Sequence, residues 1–595
     1  MKKLTILILA LLILVSVSFT LSIINEDEII LTAMREELKR SIASLSIDSL
    51  QKPAYISYTI ADSKTMYIQA RLGAIINSDD NPLRTQDVRV LVGNYGMSNE
   101  NYLDFNTVWG NSSYTTSPRE SSHDTVRISL WMDTDAKYKR AAESYENKIS
   151  ALQQQKINEA LKPDFVAVKP SSFRIERTPY TINKAAWEKR IASLSAVFTE
   201  FPALQASEAA LYVYATQVYF IDSEGAVVSY PLAIVAFRAW ATTQADDGEP
   251  LFDHVIHYVT SIDELPSVDI LRHEIRAMAT HLTALSHAPI FSESYTGPVL
   301  FEGQAAAEAV IQKFFADDSS LIALRKPILA SKDVASYFDS PLENTLESRI
   351  GKKIVDRGLS LTITPKRTVF EGVRLIGAMS VDMEGVETDE KIVLVENGNL
   401  VTLLNGRTPT EKIPSTNAHM RPSLEYNFLK SDIGPSVVSF DGDTPVTKEQ
   451  LKKKMIDTAK EEGLDYVYIV RKLENRSVAL SSNADNSKKT LTRPLALYRV
   501  DINTGAEQLM RTAEFDGFTL RAFRRVMGVS DKKIAYNTLL HKKSRSYWGT
   551  TTLNGMPSSF IVPEGILFEE VDIQQEKRSI TPKLPIVPNP LTIKK

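Results

Sequence analysis

The chain contains no cysteine. Disulfides, iron–sulfur clusters, cysteine-ligated zinc and thiol catalysis are therefore excluded, and so is anchoring through a lipidated cysteine. Histidine is scarce, with eight in 595 residues, so any histidine cluster would stand out. Charge of one sign is not in excess: 69 Lys and Arg against 73 Asp and Glu leave a net −4. Nothing here neutralises a phosphate backbone, so no nucleic-acid partner is expected. A glycine-rich phosphate loop and a Gly-x-Ser-x-Gly nucleophile elbow are also missing. Beyond residue 24 no run is long and apolar enough to cross a bilayer.

The one long apolar run is at the start. Lys2 and Lys3 precede a hydrophobic stretch from Leu4 to Ile24, the pattern of an export signal. Small residues at Ser16, Ser18 and Thr20 allow cleavage before Asn25, and about 20 apolar residues also suffice for an uncleaved anchor. The expectation is an exported protein, periplasmic or in the cell envelope. Contact with membrane is expected only through residues 4–24.

With 43% apolar and 24% charged residues, the remainder reads as an ordinary folded chain, too long for a single core. Apolar spacing predicts helices over 31–45, 133–159, 185–198 and 268–285. Alternating runs predict strands over 54–60, 66–76 and 88–93, with turns at Asp62-Ser63-Lys64 and Asp79–Pro82. A second set spans 209–221, 227–242 and 254–259, with turns at Asp222–Gly225 and Asp246–Gly248. Later strands are expected at 359–363, 369–379, 391–395, 400–404, 466–472 and 495–500. Asn397-Gly398 marks a tight hairpin, because both residues accept positive φ. Thr447–Gln450 is a capping box, and Gly463 suits the end of the helix it opens. The fold class is α+β: two parts, with mostly antiparallel sheets flanked by helices. The boundaries are 1–24 for the signal or anchor, 25–294 and 295–580 for the two domains, and 581–595 for a proline-rich tail.

The segment Tyr295–Val310 reads as an apolar strand turning into an alanine-rich helix, with Glu302 at the joint. Such joints expose side chains beside free helix N–H groups. Glu302 and Glu308 are the carboxylates near it, and a solvated surface position is the ordinary expectation for Glu308. His419 lies in a loop with Asn417 and Arg421. This loop reads either as a substrate-facing groove or as an ordinary solvated loop. His273 and His281, eight apart on one helix, are about 12 Å apart along its axis, too far to share a metal, and read as surface histidines. His254 and His257 should point to opposite faces of a strand. His123 and His541 have no partners in sequence. No metal site is expected.

Several strings in order resemble the TldD/PmbA family of zinc metallopeptidase-like proteins. They are Gly297–Glu308, Leu394–Leu400, Ser415–Arg421, the run Tyr498–Val500 through Gly505 to Arg511, and Pro563–Glu570. The resemblance is clearest from about residue 295 to 575. It implies a two-part α+β fold and a role in peptide processing. Active members carry a His-Glu-x-x-x-His zinc motif and a further cysteine ligand. By position the motif falls on Glu302, Gly303, Gln304, Ala305, Ala306 and Ala307, so both histidines and the general base are replaced, and the chain has no cysteine. The resemblance therefore implies the PmbA-like branch: a non-catalytic subunit without zinc, binding peptide and pairing with a motif-bearing paralogue. Two alternatives remain open. One is an active exported metallopeptidase with a relocated metal site using Glu302, His419 and a histidine of the first half. The other is a non-enzymatic envelope binding protein.

Overall fold

A computed structural model describes residues 26–46, 50–105, 115–156, 163–178, 180–316, 320–337, 344, 346–475, 490–541 and 552–577. The expected signal segment and the proline-rich tail beyond Pro582 lie outside these residues.

The first half is built on one antiparallel sheet. Strands Pro53–Arg71 and Ala74–Val92, 19 residues each, form a long hairpin, followed in space by Ala206–Asp222, Val227–Gln244 and Pro250–Val259. The segments expected as turns are instead paired inside the hairpin, Asp62–Lys64 with Pro82–Arg84 and Asp79–Pro82 with Lys64–Tyr67. The real turn is Leu72-Gly73, both with positive φ, which suits the right-handed twist of a two-residue hairpin. Asp222 makes its predicted turn, its Oδ1 accepting from the N–H groups of Glu224, Gly225 and Ala226. Helices pack on one face of this sheet. Lys184–Ser195 and Val268–Ser286 cover Ile68, Leu211, Val235 and Phe237, while the 26–44 helix and His123–Gln154 cover Ile56, Tyr58 and Tyr219. The helix expected from residue 133 starts ten residues earlier, where Ser122 caps it by accepting from Thr125 N–H.

The second half stacks two sheets. One runs Asn399–Leu400, Ile392–Glu396, Leu359–Ile363, Val437–Gly442, Met556–Pro563, Lys533–Leu540. The other runs Glu507–Met510, Pro494–Asp501, Tyr466–Leu473, Tyr295–Glu302, Gly565–Gln575, Ala513–Asp516. The chain steps from the first sheet to the second at Glu564, between Pro563 and Gly565. Inner side chains of both sheets, such as Leu361, Phe440 and Phe560 facing Val299, Phe301 and Phe568, share one core. The capping box at Thr447 is complete, and its helix Lys448–Glu461 covers the outer face of the second sheet through Leu451 and Met455. The strand expected over 369–379 is only a short hairpin, Val369–Phe370 with Val373–Arg374, because Glu371 and Gly372 both take positive φ. Across the seam between halves, the uncovered face of the first sheet meets Ile376, Leu424, Leu429 and Leu539 of the second half.

Candidate functional site

Strand Tyr295–Glu302 is central in its sheet, parallel to Tyr466–Leu473 and antiparallel to Gly565–Gln575. It ends at Glu302, and the helix Gln304–Ile311 begins after one residue. That residue, Gly303, has φ 57° and ψ −123°, a backbone region open essentially to glycine alone. A Cβ there would meet nothing within 4 Å, so conformation and not space demands the glycine. The helix then runs between the two sheets. Ala305, Ala306, Ala307, Ala309 and Val310 are fully buried, which is how a helix apolar on every side is stabilised.

The polar groups at the joint are all engaged. Glu302 accepts from Arg471 Nε at 2.8 Å, and Arg471 also grips Glu507 with both terminal nitrogens. Gln304 pairs with the backbone of Leu473 in both directions, donating to its carbonyl at 3.1 Å and accepting its N–H at 2.8 Å. Glu308 is buried, contrary to the expected solvated position. Its carboxylate accepts from Asn475 at 2.8 Å, Tyr536 at 3.0 Å and Gln312 at 3.0 Å. Burial, then the adjacent Glu308 charge, holds the Tyr536 phenol well above its ordinary pKa. A carboxylate held by three donors has the geometry of a structural clasp.

In the loop with Asn417, His419 and Arg421, the last two side chains are folded inward and Asn417 is half-buried, while Pro414 and Ser415 are exposed. Asn417 and Asn405 clasp each other's backbone N–H groups, both at 2.9 Å. His419 is fully buried, with Nδ1 at 2.8 Å from the Asn417 carbonyl and Nε2 at 3.2 Å from Ser436 Oγ. Burial pushes its pKa down to about 3. Arg421 is buried as well, donating to the Pro557 carbonyl, and burial lowers its pKa to about 10.

Of the histidines of the first half, His254 lies at the seam, where its carbonyl meets Lys472 of the second half. His257 and His254 do face opposite ways: His257 meets Glu274 at 2.7 Å on the helix side, while His254 is buried and stacked on Phe252. Burial, then Lys472, lowers the His254 pKa to about 3. His281 is not a free surface histidine, since its Nδ1 lies 2.8 Å from Oδ2 of buried Asp253. Lys472, one residue before the Gln304 contact, completes this group by donating to Asp253 Oδ1 at 2.6 Å and to the His254 carbonyl. Against the cost of burial, Lys472 and then His281 hold the Asp253 carboxyl well below the usual range. Sequence reading missed this cluster because Lys472, which completes it, is 219 residues from Asp253. The joint and the first sheet therefore meet at Lys472.

A zinc ion does not fit the joint. At the six motif positions the side chains are one carboxylate already paired with arginine, one amide bonded to backbone, a glycine and three buried alanines. Zinc needs three or four donors at about 2.0–2.3 Å. Among the described residues no group of three or more His, Cys, Asp or Glu could hold a metal.

No protein-family model and no curated protein matches the chain in sequence. Solved structures do match in shape. TldE from Thermococcus kodakarensis superimposes with a TM-score of 0.54 at 14% identity, covering 91% of this chain and all of that one. A candidate modulator of DNA gyrase from Thermotoga maritima gives 0.53 at 11% identity, over 87% and 96% of the two chains. A second candidate gyrase modulator, from Bacteroides thetaiotaomicron, gives 0.53 at 12% identity, over 92% and 98%. The fold is thus the TldD/PmbA fold, spanning nearly the whole chain.

Proposed function

We propose that this chain is an exported, catalytically silent TldD/PmbA-type protein that binds peptide and acts beside a paralogue with an intact His-Glu-x-x-x-His motif. The single observation that supports this most is the joint. The fold is kept over nine-tenths of its length, while the motif positions serve packing: Ala305 to Ala307 fill the core and Glu302 is tied to Arg471. Glu308, the next carboxylate, is committed to Asn475, Tyr536 and Gln312. The relocated metallopeptidase reading draws little support, since His419 is sealed in the core with both ring nitrogens engaged. Export rests on the pattern of residues 2–24.

The test is to purify the chain alone and with a motif-bearing paralogue from the same source. The expected outcome is less than a tenth of an equivalent of zinc in this chain, no peptide hydrolysis alone, and co-elution with the paralogue. One equivalent of zinc that is lost on His419→Ala would overturn the silent reading. Separate elution at micromolar concentrations would remove the partnership.

A further inference from the structure

The seam-facing side of the first sheet carries polar groups that the fold does not use. The Tyr67 hydroxyl meets only that of Tyr212, and Glu208 Oε1, Arg238 Nε and His254 Nδ1 make no hydrogen bond within the protein. All four side chains are at least nine-tenths buried, at 5%, 1%, 9% and 4% exposure. An unsatisfied buried polar group costs roughly 1–3 kcal/mol, so three in one place call for an explanation.

Strand register places them together. Glu208 lies opposite Trp240, and Trp240 opposite His254, making one row across three strands. In the next row Gln69 is opposite Ala210, which is opposite Arg238. In the third, Tyr67 is opposite Tyr212, which is opposite Ala236, which is opposite Tyr258. Residues two apart on a strand share a face, and opposed side chains on neighbouring strands are about 5 Å apart. The four groups therefore lie within three rows of one face, with Ala210, Ala236, Tyr212 and Trp240 buried among them. Tyr212 and Trp240 provide aromatic surface, and Arg238 lies over the Tyr212 ring at 4.9 Å. One side reaches solvent: Arg71, half exposed, bonds Glu208 Oε2 at 3.1 Å. The other side adjoins Lys472 and the joint.

The chemistry of the patch is selective. Arg238 Nε and the Tyr67 hydroxyl offer donors to an acceptor, and Glu208 Oε1 offers an acceptor to a donor. Arg71 and Arg238 against Glu208 leave one positive charge in excess, which favours an anion. A carboxylate with an N–H beside it is what the end of a peptide presents. We infer that this patch binds the C-terminal residue of a peptide, its carboxylate on Arg238 and Tyr67 and its last amide N–H on Glu208. The inference rests on the peptide-binding reading and names the site for it.

The experiment passes an N-acetylated random hexapeptide library over the immobilised full chain, once with free C-termini and once with C-terminal amides. The best retained free-acid peptide is then titrated calorimetrically. Retention should favour the free acids at least tenfold. Tyr67→Phe, which deletes a hydroxyl whose protein partner is the Tyr212 hydroxyl, should weaken binding about fivefold, and Glu208→Gln by at least as much. A hydroxyl that serves only Tyr212 would leave binding unchanged in folded Tyr67→Phe, and that result overturns the proposal. Equal retention of acids and amides also overturns it, while leaving peptide binding itself intact. If no peptide is retained, both this site and the peptide-binding reading fail. Partnership with a paralogue is then judged separately, by co-elution of Tyr67→Phe and wild type.

Discussion

His419 shows how burial decides what a side chain can do. Its two ring nitrogens are taken by the Asn417 carbonyl and Ser436, and no part of it meets solvent. With a folded pKa near 3 and an unfolded value near 6.5, the folded ring refuses a proton that the unfolded chain accepts. Its contribution to stability is therefore complete above about pH 6.5 and falls as pH drops towards 3. His254 has the same shift for the same reason. Replacing His419 by Gln keeps a donor and an acceptor but removes the titration. At neutral pH the variant should be less stable by about 1–3 kcal/mol. The gap to wild type should then narrow on acidification, by about 2–3 kcal/mol at pH 4.5. Urea titrations at pH 7.5, 6 and 4.5 measure it. A gap that stays constant would mean that the folded ring titrates freely.

At the scale of elements, the backbone of the strand-to-helix joint, like its side chains, is unsuited to the His-Glu-x-x-x-His motif. Gly303 sits where a glutamate cannot go without strain, and Ala307 points into a filled core. Restoring the motif as Glu302→His, Gly303→Glu and Ala307→His should therefore fail. The backbone strain alone costs about 1–3 kcal/mol, and a buried, overpacked histidine adds about 1–3 more. The expected result is a destabilised protein with no stoichiometric zinc, measured by denaturation and metal analysis. A stable triple variant holding one zinc would show that the joint is only masked. Gly303→Ala separates the backbone share. The joint itself was legible in the sequence, as were the Asn397-Gly398 hairpin, the Asp222 turn and the Thr447 box, because each is written within a few residues. The long first hairpin was not. Its polar stretches look like turns until pairing across the hairpin is known, and Asp62 is satisfied by Arg84 and Arg177 far along the chain. The burial of Glu308 was equally hidden, since Asn475 and Tyr536 are 167 and 228 residues away.

For the whole molecule, the decisive feature is that the two halves are joined by buried charge as well as by apolar contact. Arg407, from the second half, is fully buried against the first. It donates to Glu224 at 2.6 Å and to the Val166 carbonyl at 2.9 Å, lies 3.7 Å from Asp222, and stacks 4.0 Å above the Phe165 ring. Its own backbone N–H is held by Glu384, which also pairs with Arg89 of the first half. Lys472 with Asp253, and Arg511 with Asp247 and Glu249, repeat the arrangement elsewhere on the seam. Charges committed across an interface leave uncompensated partners when the halves part, so the halves should lose structure together. In a Trp548→Phe background, whose four remaining tryptophans, Trp109, Trp131, Trp187 and Trp240, all lie in the first half, coincident urea transitions are expected by far-ultraviolet circular dichroism, which reports both halves, and by tryptophan fluorescence, which reports the first. Arg407→Ala strands Glu224 and Asp222 and should cost about 3–5 kcal/mol. Arg407→Lys keeps the charge but loses the planar fork and the ring stacking, so it should recover only part of that. Both variants should shift the two signals together. If Arg407→Ala moves only the fluorescence transition, the halves fold independently, and a patch on the first sheet could be studied without the second.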